Sequence, residues 1–197
     1  MALAVEHDKR RKKILEKALA VFVEDGFENA TFQKIADKSG ITRTILYLYF
    51  KNKREIFRFS IKQLLINAEE KIIGIRSNAN INCADKITKV LMAIFKLLDQ
   101  NRQLLSVVLD YLLHNSRDEF NPENRVRRRT VKLRHIISSI LIEGVKSGEL
   151  KNVNIKAAND YLYSYVESAI FQLAVLKRKD IKELEKTALF AIKQLCN

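Results

Sequence analysis

Residues 31–57, TFQKIADKSGITRTILYLYFKNKREIF, set two short helical stretches on either side of one glycine and follow them with aromatic and basic residues. Thr31 stands where a hydroxyl can accept from an unpaired amide at the start of a first helix, whose Ile35 and Ala36 share one face. Gly40 ends that helix, since glycine adopts the left-handed backbone that a helix carboxyl end often needs. Ile41 then plugs the core beneath the turn, Thr42 caps a second helix, and Ile45 and Leu46 face inward. The pattern is a helix-turn-helix, a unit whose second helix lies in the DNA major groove. Arg43 and Thr44 occupy the first turn of that second helix, where side chains meet base edges.

Working outward, Ile14, Leu15, Ala18, Leu19, Phe22 and Val23 recur at helical spacing and predict a helix over 8–24, stopped at Gly26. The run Lys9-Arg10-Arg11-Lys12-Lys13 falls at its predicted start, where cations oppose the helix dipole unless an anion lies nearby. DNA phosphate is one such anion, and a solvated charge run is the other reading. A longer helix begins near Lys53 and fades around Gly74, and the polar stretch Ser77-Asn78-Ala79-Asn80-Ile81-Asn82 reads as a loop. Further helices are expected at about 85–99, 102–115, 123–147, 155–177 and 180–196, with Pro122 suited to a first turn and Gly148 closing the third of them. The expected fold is therefore all-α with about nine helices: a three-helix reader over 1–52 and a helical regulatory domain over 53–197.

Composition agrees. Hydrophobic residues form 47% of the 197, and five Gly with one Pro are too few breakers for a strand-rich fold. No apolar run approaches a membrane span and no apolar signal segment follows the basic amino-terminal residues, so a soluble, cytoplasmic protein is expected. Cys83 and Cys196 lie far apart, and neither they nor His7, His114 and His135 show metal-ligand spacing, so free thiols and no cofactor or metal are expected. Gly-rich phosphate loops and nucleophile elbows are absent, which sets enzymes aside. The net charge of +13 suits a polyanionic partner, but most of the excess lies beyond residue 57. Attraction to DNA is then a property of the whole chain, and the motif supplies its aim.

Thr31, Ile35-Ala36, Ser39-Gly40-Ile41-Thr42, Leu46-Tyr47-Leu48-Tyr49-Phe50, Lys53 and Ile56-Phe57 together resemble the amino-terminal signature of the TetR family of transcriptional regulators. Ser39 stands where alanine is usual, and Thr44 where a glycine or another small residue is frequent. The resemblance covers about the first 57 residues, and it implies a homodimer on a palindromic operator in double-stranded DNA and a body that senses a small-molecule effector.

Among the residues themselves, Arg43 is the leading base reader, because a guanidinium donates two hydrogen bonds to guanine O6 and N7. Thr42 caps the helix or meets phosphate, and Thr44 meets a thymine methyl or a phosphate. The resemblance adds Gln33 as a residue that reaches DNA, Tyr47 and Tyr49 as the aromatic pair beside the backbone, and Lys53 as a phosphate ligand, with Thr31 in a similar role. A solvated helix residue is the competing reading of Gln33. For the effector, Tyr111, His114, Tyr163 and Glu167 are polar groups with apolar neighbours, open to lining a cavity or to satisfied core hydrogen bonds. The basic cluster Arg125, Arg127, Arg128, Arg129, Lys132 and Arg134 is a solvated face or a site for an acidic ligand. The dimer surface is expected on the last two helices, from Ala158, Tyr161, Leu162, Tyr165, Ala169 and Gln172 and from the stripe between Ile181 and Leu195. The expected function is a ligand-responsive repressor. The alternative is a helical sensor or interaction protein without sequence-selective DNA binding.

Overall fold

A computed structural model describes the backbone of residues 2–114 and 122–197 and the side chains of residues 5–114 and 130–197. Among these are nine helices: α1 Ala2–Asn29, α2 Phe32–Ser39, α3 Arg43–Tyr49, α4 Lys53–Arg76, α5 Cys83–Gln100, α6 Arg102–His114, α7 Pro122–Ser147, α8 Ile155–Ala174 and α9 Lys182–Lys193. The chain divides into two compact units, Met1–Asn67 and Ala68–Asn197, and α4 contributes residues to both. No described helix is long and apolar enough to cross a membrane, and no group of three or more His, Cys, Asp or Glu among the described residues is placed to hold a metal.

In the first unit α1, α2 and α3 pack through the residues that carry the helical periodicity. Ile14, Leu15, Ala18, Phe22, Ile35, Ala36, Leu46, Phe50, Ile56 and Phe57 are all buried. Phe57 meets Phe22 edge-on with centroids 4.8 Å apart and lies 5.1 Å from Phe27, a geometry that aromatic quadrupoles favour. Ser60 is fully buried in this core, and its hydroxyl donates to Leu15 O at 2.9 Å, so it carries no unpaired donor.

Two expectations change here. The helix begins at Ala2, since ALAVEH is a good helix former, so Lys9–Lys13 is an interior segment of α1 rather than its amino end. The dipole argument for a phosphate there therefore lapses. Arg11 is in fact half-buried, with its guanidinium 4.9 Å from the centroid of Phe50 and 4.2 Å from that of Phe59. Gly26, at φ 75 and ψ 173, breaks the helix where the sequence stops it, and a short second helical piece follows to Asn29.

In the second unit α5 is the central helix, packed against α7, α8 and α9. Ile87, Val90, Leu91 and Phe95 of α5 are fully buried with Ile137, Ile140 and Leu141 of α7 and Leu162 and Ala169 of α8. The stripe assigned to a dimer surface belongs to this core. Ile181, Leu184, Ala188, Ala191 and Ile192 are buried, Leu195 is partly buried, and Ala158, Leu162 and Ala169 turn inward with them. An amphipathic stripe says only that a face is covered; here the body covers it. The large apolar side chains left exposed on these elements are Tyr161, Phe171, Val175, Leu176 and Phe190.

A polar cluster, with Lys86 and Cys83 buried and Glu143 and Glu149 exposed, joins α5 to the end of α7. Lys86, 6% exposed, is paired with Glu143 at 2.7 Å, and Glu149 accepts from the Cys83 amide at 2.5 Å. The Glu143 hydrogen bond raises the Lys86 pKa, the Cys83 amide lowers that of Glu149, and burial pushes the Cys83 thiol from 9.0 up to about 11. Lys86 and Cys83 both have raised values in the folded state, so their stabilisation is complete below their unfolded pKa values and lost as pH rises through the folded ones. Urea midpoints are expected to fall between about pH 9 and 11. Cys83→Ala is expected to flatten part of that fall, and an unchanged slope counts against the thiol.

Candidate nucleic-acid interface

The reader is built by its caps. Thr31 Oγ1 accepts from Lys34 N at 3.2 Å and starts α2. Gly40 closes α2 in the left-handed conformation, φ 67 and ψ 35, and the Ile41 amide returns to Ala36 O at 3.1 Å. Thr42 Oγ1 then accepts from Ile45 N at 3.3 Å and starts α3. Each threonine oxygen is used locally, while its hydroxyl hydrogen is still available to donate. Leu46 is fully buried and Ile45 and Ile41 are half-buried, so Arg43, Thr44, Tyr47 and Leu48 form the exposed face of α3.

Arg43 Nη2 donates to the Tyr47 hydroxyl at 3.1 Å and the guanidinium lies 5.6 Å from the ring centroid. Among the described residues no carboxylate pairs with Arg43, whereas Lys34 and Lys38 nearby are neutralised by Asp25 at 3.0 Å and Glu24 at 2.7 Å. Gln33 is exposed, with its amide donating to Asp37 at 2.8 Å on the same helix. Tyr49 is half-buried against His7 of α1, with ring centroids 4.6 Å apart. Neither His7 nor the Phe32 ring beneath Tyr47 was singled out from sequence. Their partners lie 42 and 15 positions away, which no local pattern reports.

Lys53 sits differently from a simple phosphate ligand. Its ammonium donates to Phe27 O at 2.9 Å and Glu28 O at 2.6 Å and lies 4.8 Å from the Phe27 ring, capping the turn that Gly26 creates. A cation on terminal helix carbonyls is favourable for both hydrogen bonding and the dipole. Lys53→Met is expected to cost about 1–2 kcal/mol of stability, since charged donors contribute more than neutral ones. A urea midpoint left unmoved, with DNA affinity reduced, would assign Lys53 to phosphate alone.

The four effector candidates do not converge. Tyr111 is buried on α6, while His114 at the end of α6 is exposed beside Asp110 at 3.1 Å. Tyr163 is buried, with its hydroxyl 3.1 Å from Thr130 Oγ1 and the Arg134 guanidinium 4.3 Å from its ring centroid. Glu167, on the same helix, faces solvent. His114 and Glu167 are thus surface groups, and Tyr163 is a satisfied core phenol. Of the basic cluster, Arg125, Arg127, Arg128 and Arg129 lie outside the described side chains. Lys132 reaches Glu69 at 3.3 Å, and Arg134 pairs with Asp160. An open groove of about 420 Å³ lies between α7 and α8, lined by Arg134, Ser138, Ile142, Lys156 and Asn159 among others.

Residues 14–58 match the family described as bacterial regulatory proteins, tetR family. The reader segment is of the TetR type. It is 26% identical over 164 residues to the fatty acid metabolism regulator protein of Bacillus subtilis, covering 80% of each chain. Its fold is that of a TetR transcription regulator from Haloarcula marismortui, with a TM-score of 0.83 at 16% identity over 96% of this chain and 100% of that one. The fatty acid degradation regulator FadR from Bacillus halodurans shares the fold at a TM-score of 0.72 and 18% identity, over 93% and 94% of the two chains. These relatives are transcriptional regulators rather than enzymes.

Proposed function

We propose that this TetR-family protein is a ligand-responsive repressor that binds a palindromic operator as a homodimer in the cytoplasm. Residues 1–52 read the DNA, and residues 53–197 sense the effector and dimerise. The observation that carries the reading is the exposed, carboxylate-free Arg43 in the first turn of α3, behind its Thr42 cap. In this assignment Arg43 reads a base, Thr44 and Gln33 touch base edges or phosphate, and Thr31, Thr42, Tyr47 and Tyr49 hold the backbone. Lys53 fastens the reader to the start of α4.

The fatty acid regulators among the relatives support an effector and target genes from fatty acid metabolism. The effector acts by favouring one of two states of the body, and a compound that bound both states equally would shift nothing. Selection of bound sequences from a random duplex library, repeated with fatty acids and acyl thioesters present, tests both parts. Enrichment of a palindrome that is released by one acyl compound is the expected result. Enrichment of no palindrome would overturn the operator assignment, and a palindrome indifferent to every acyl compound would overturn the effector class.

A further inference from the structure

We propose that Phe32 is a positioning residue for base readout, holding Arg43 through Tyr47. The inference rests on the assignment of Arg43 as base reader. Phe32 is the first residue of α2, and its ring stacks on that of Tyr47 with centroids 4.5 Å apart and planes inclined by 26°. Tyr47 is one turn beyond Arg43 on α3, and its hydroxyl accepts from Arg43 Nη2 at 3.1 Å. The three side chains form one column running from α2 across the turn to the reading face.

Tyr47 is 49% exposed, so the body of the protein does not fix its ring by burial. Stacking on Phe32 supplies the missing restraint from one side, and Phe32 is itself half-buried on a capped helix end. A fixed phenol oxygen then limits the rotamers of Arg43, whose other guanidinium hydrogens remain free to meet an acceptor pair on a base edge. Ordering a long side chain before binding removes an entropy cost from the bound state, and preorganisation raises affinity by that route. Tyr47 can also donate its own hydroxyl hydrogen to a phosphate while accepting from Arg43, so the column ties backbone contact to base contact. Phe32 has no hydrogen-bonding group of its own, so it acts only through the ring it supports.

The test uses the full chain, its selected operator duplex, and a second duplex altered at the base pair that Arg43→Ala identifies. Phe32→Ala is expected to weaken operator binding about tenfold, the scale of one aromatic pair, and binding to the altered duplex by less, about threefold, the share carried by the Tyr47 phosphate contact. Phe32→Tyr keeps the ring and is expected to retain binding, while Phe32→Leu keeps apolar bulk without the stack and is expected to behave as Phe32→Ala. In the Arg43→Ala background Phe32→Ala is expected to keep only that smaller phosphate effect, because the base reader it positions is gone. Equal weakening on both duplexes, or an undiminished effect in the Arg43→Ala background, would overturn the proposal. So would full operator affinity in both Phe32→Ala and Phe32→Leu. Thermal unfolding of each variant separates a lost fold from a lost contact. If Arg43→Ala alone leaves discrimination intact, the base-reader assignment has failed and the inference goes with it; if only the Phe32 variants are silent, the inference alone has failed.

Discussion

Arg43→Ala is expected to erase the preference of this regulator for one operator base pair, at a cost of about 1–3 kcal/mol of discrimination, while leaving salt-sensitive binding to any duplex in place. The guanidinium is the one cation on the exposed face of α3, and its charge is not neutralised by Asp or Glu as those of Lys34 and Lys38 are. A planar fork matches the two acceptors of guanine, which an ammonium does not reproduce, so Arg43→Lys is expected to recover little of the loss. Phosphate contacts release counterions and base contacts do not, so the slope of log affinity against log salt should stay the same in Arg43→Ala. Titrating the operator and its three single-base-pair variants at several salt concentrations measures both quantities. A parallel loss on all four duplexes, with a shallower salt slope, would place Arg43 on the phosphate backbone.

Charge placed at Phe171 or Phe190 is expected to separate the two copies of the proposed homodimer and to cut operator affinity by about 30-fold or more, the scale of an aromatic anchor lost from an interface centre. Both rings are more than half exposed, at 53% and 64%, on helices α8 and α9, which pack against each other. Val175 and Leu176 just past the end of α8 and Tyr161 in its first half are exposed as well. A monomer that leaves this much apolar surface in water is unusual, and a second copy is the partner that two reading helices about 34 Å apart require. Because these side chains are outside the body's core, Phe171→Asp and Phe190→Asp should keep their helical content and unfold as the parent does. Sedimentation equilibrium then reads the dissociation directly. A dimer that persists in the double variant would move the interface elsewhere.

The stripe from Ile181 to Leu195 has the period of a covered face, and so does Ala158-Leu162-Ala169, but periodicity does not name the cover. Both were the body's own packing. The same limit applies to Tyr111, His114, Tyr163 and Glu167: polar groups flanked by apolar ones look alike on paper, yet two are buried and two face solvent.

The reading helix was legible because its determinants are local. Thr31, Gly40 and Thr42 each act on amides within a few residues, and a cap or a left-handed turn needs nothing from the rest of the chain. Lys53 on the carbonyls of Phe27 and Glu28, Arg11 over Phe50 and Phe59, and Phe32 beneath Tyr47 are of another kind. Each joins residues from different helices, so its existence depends on how those helices pack. By itself the amino-acid sequence determined the all-helical class, the helix-turn-helix and the residues on its exposed turn. Only the tertiary structure decided which aromatic supports which cation, because the hydrogen bonds of a helix are short-range in the chain while side-chain contacts between helices are not.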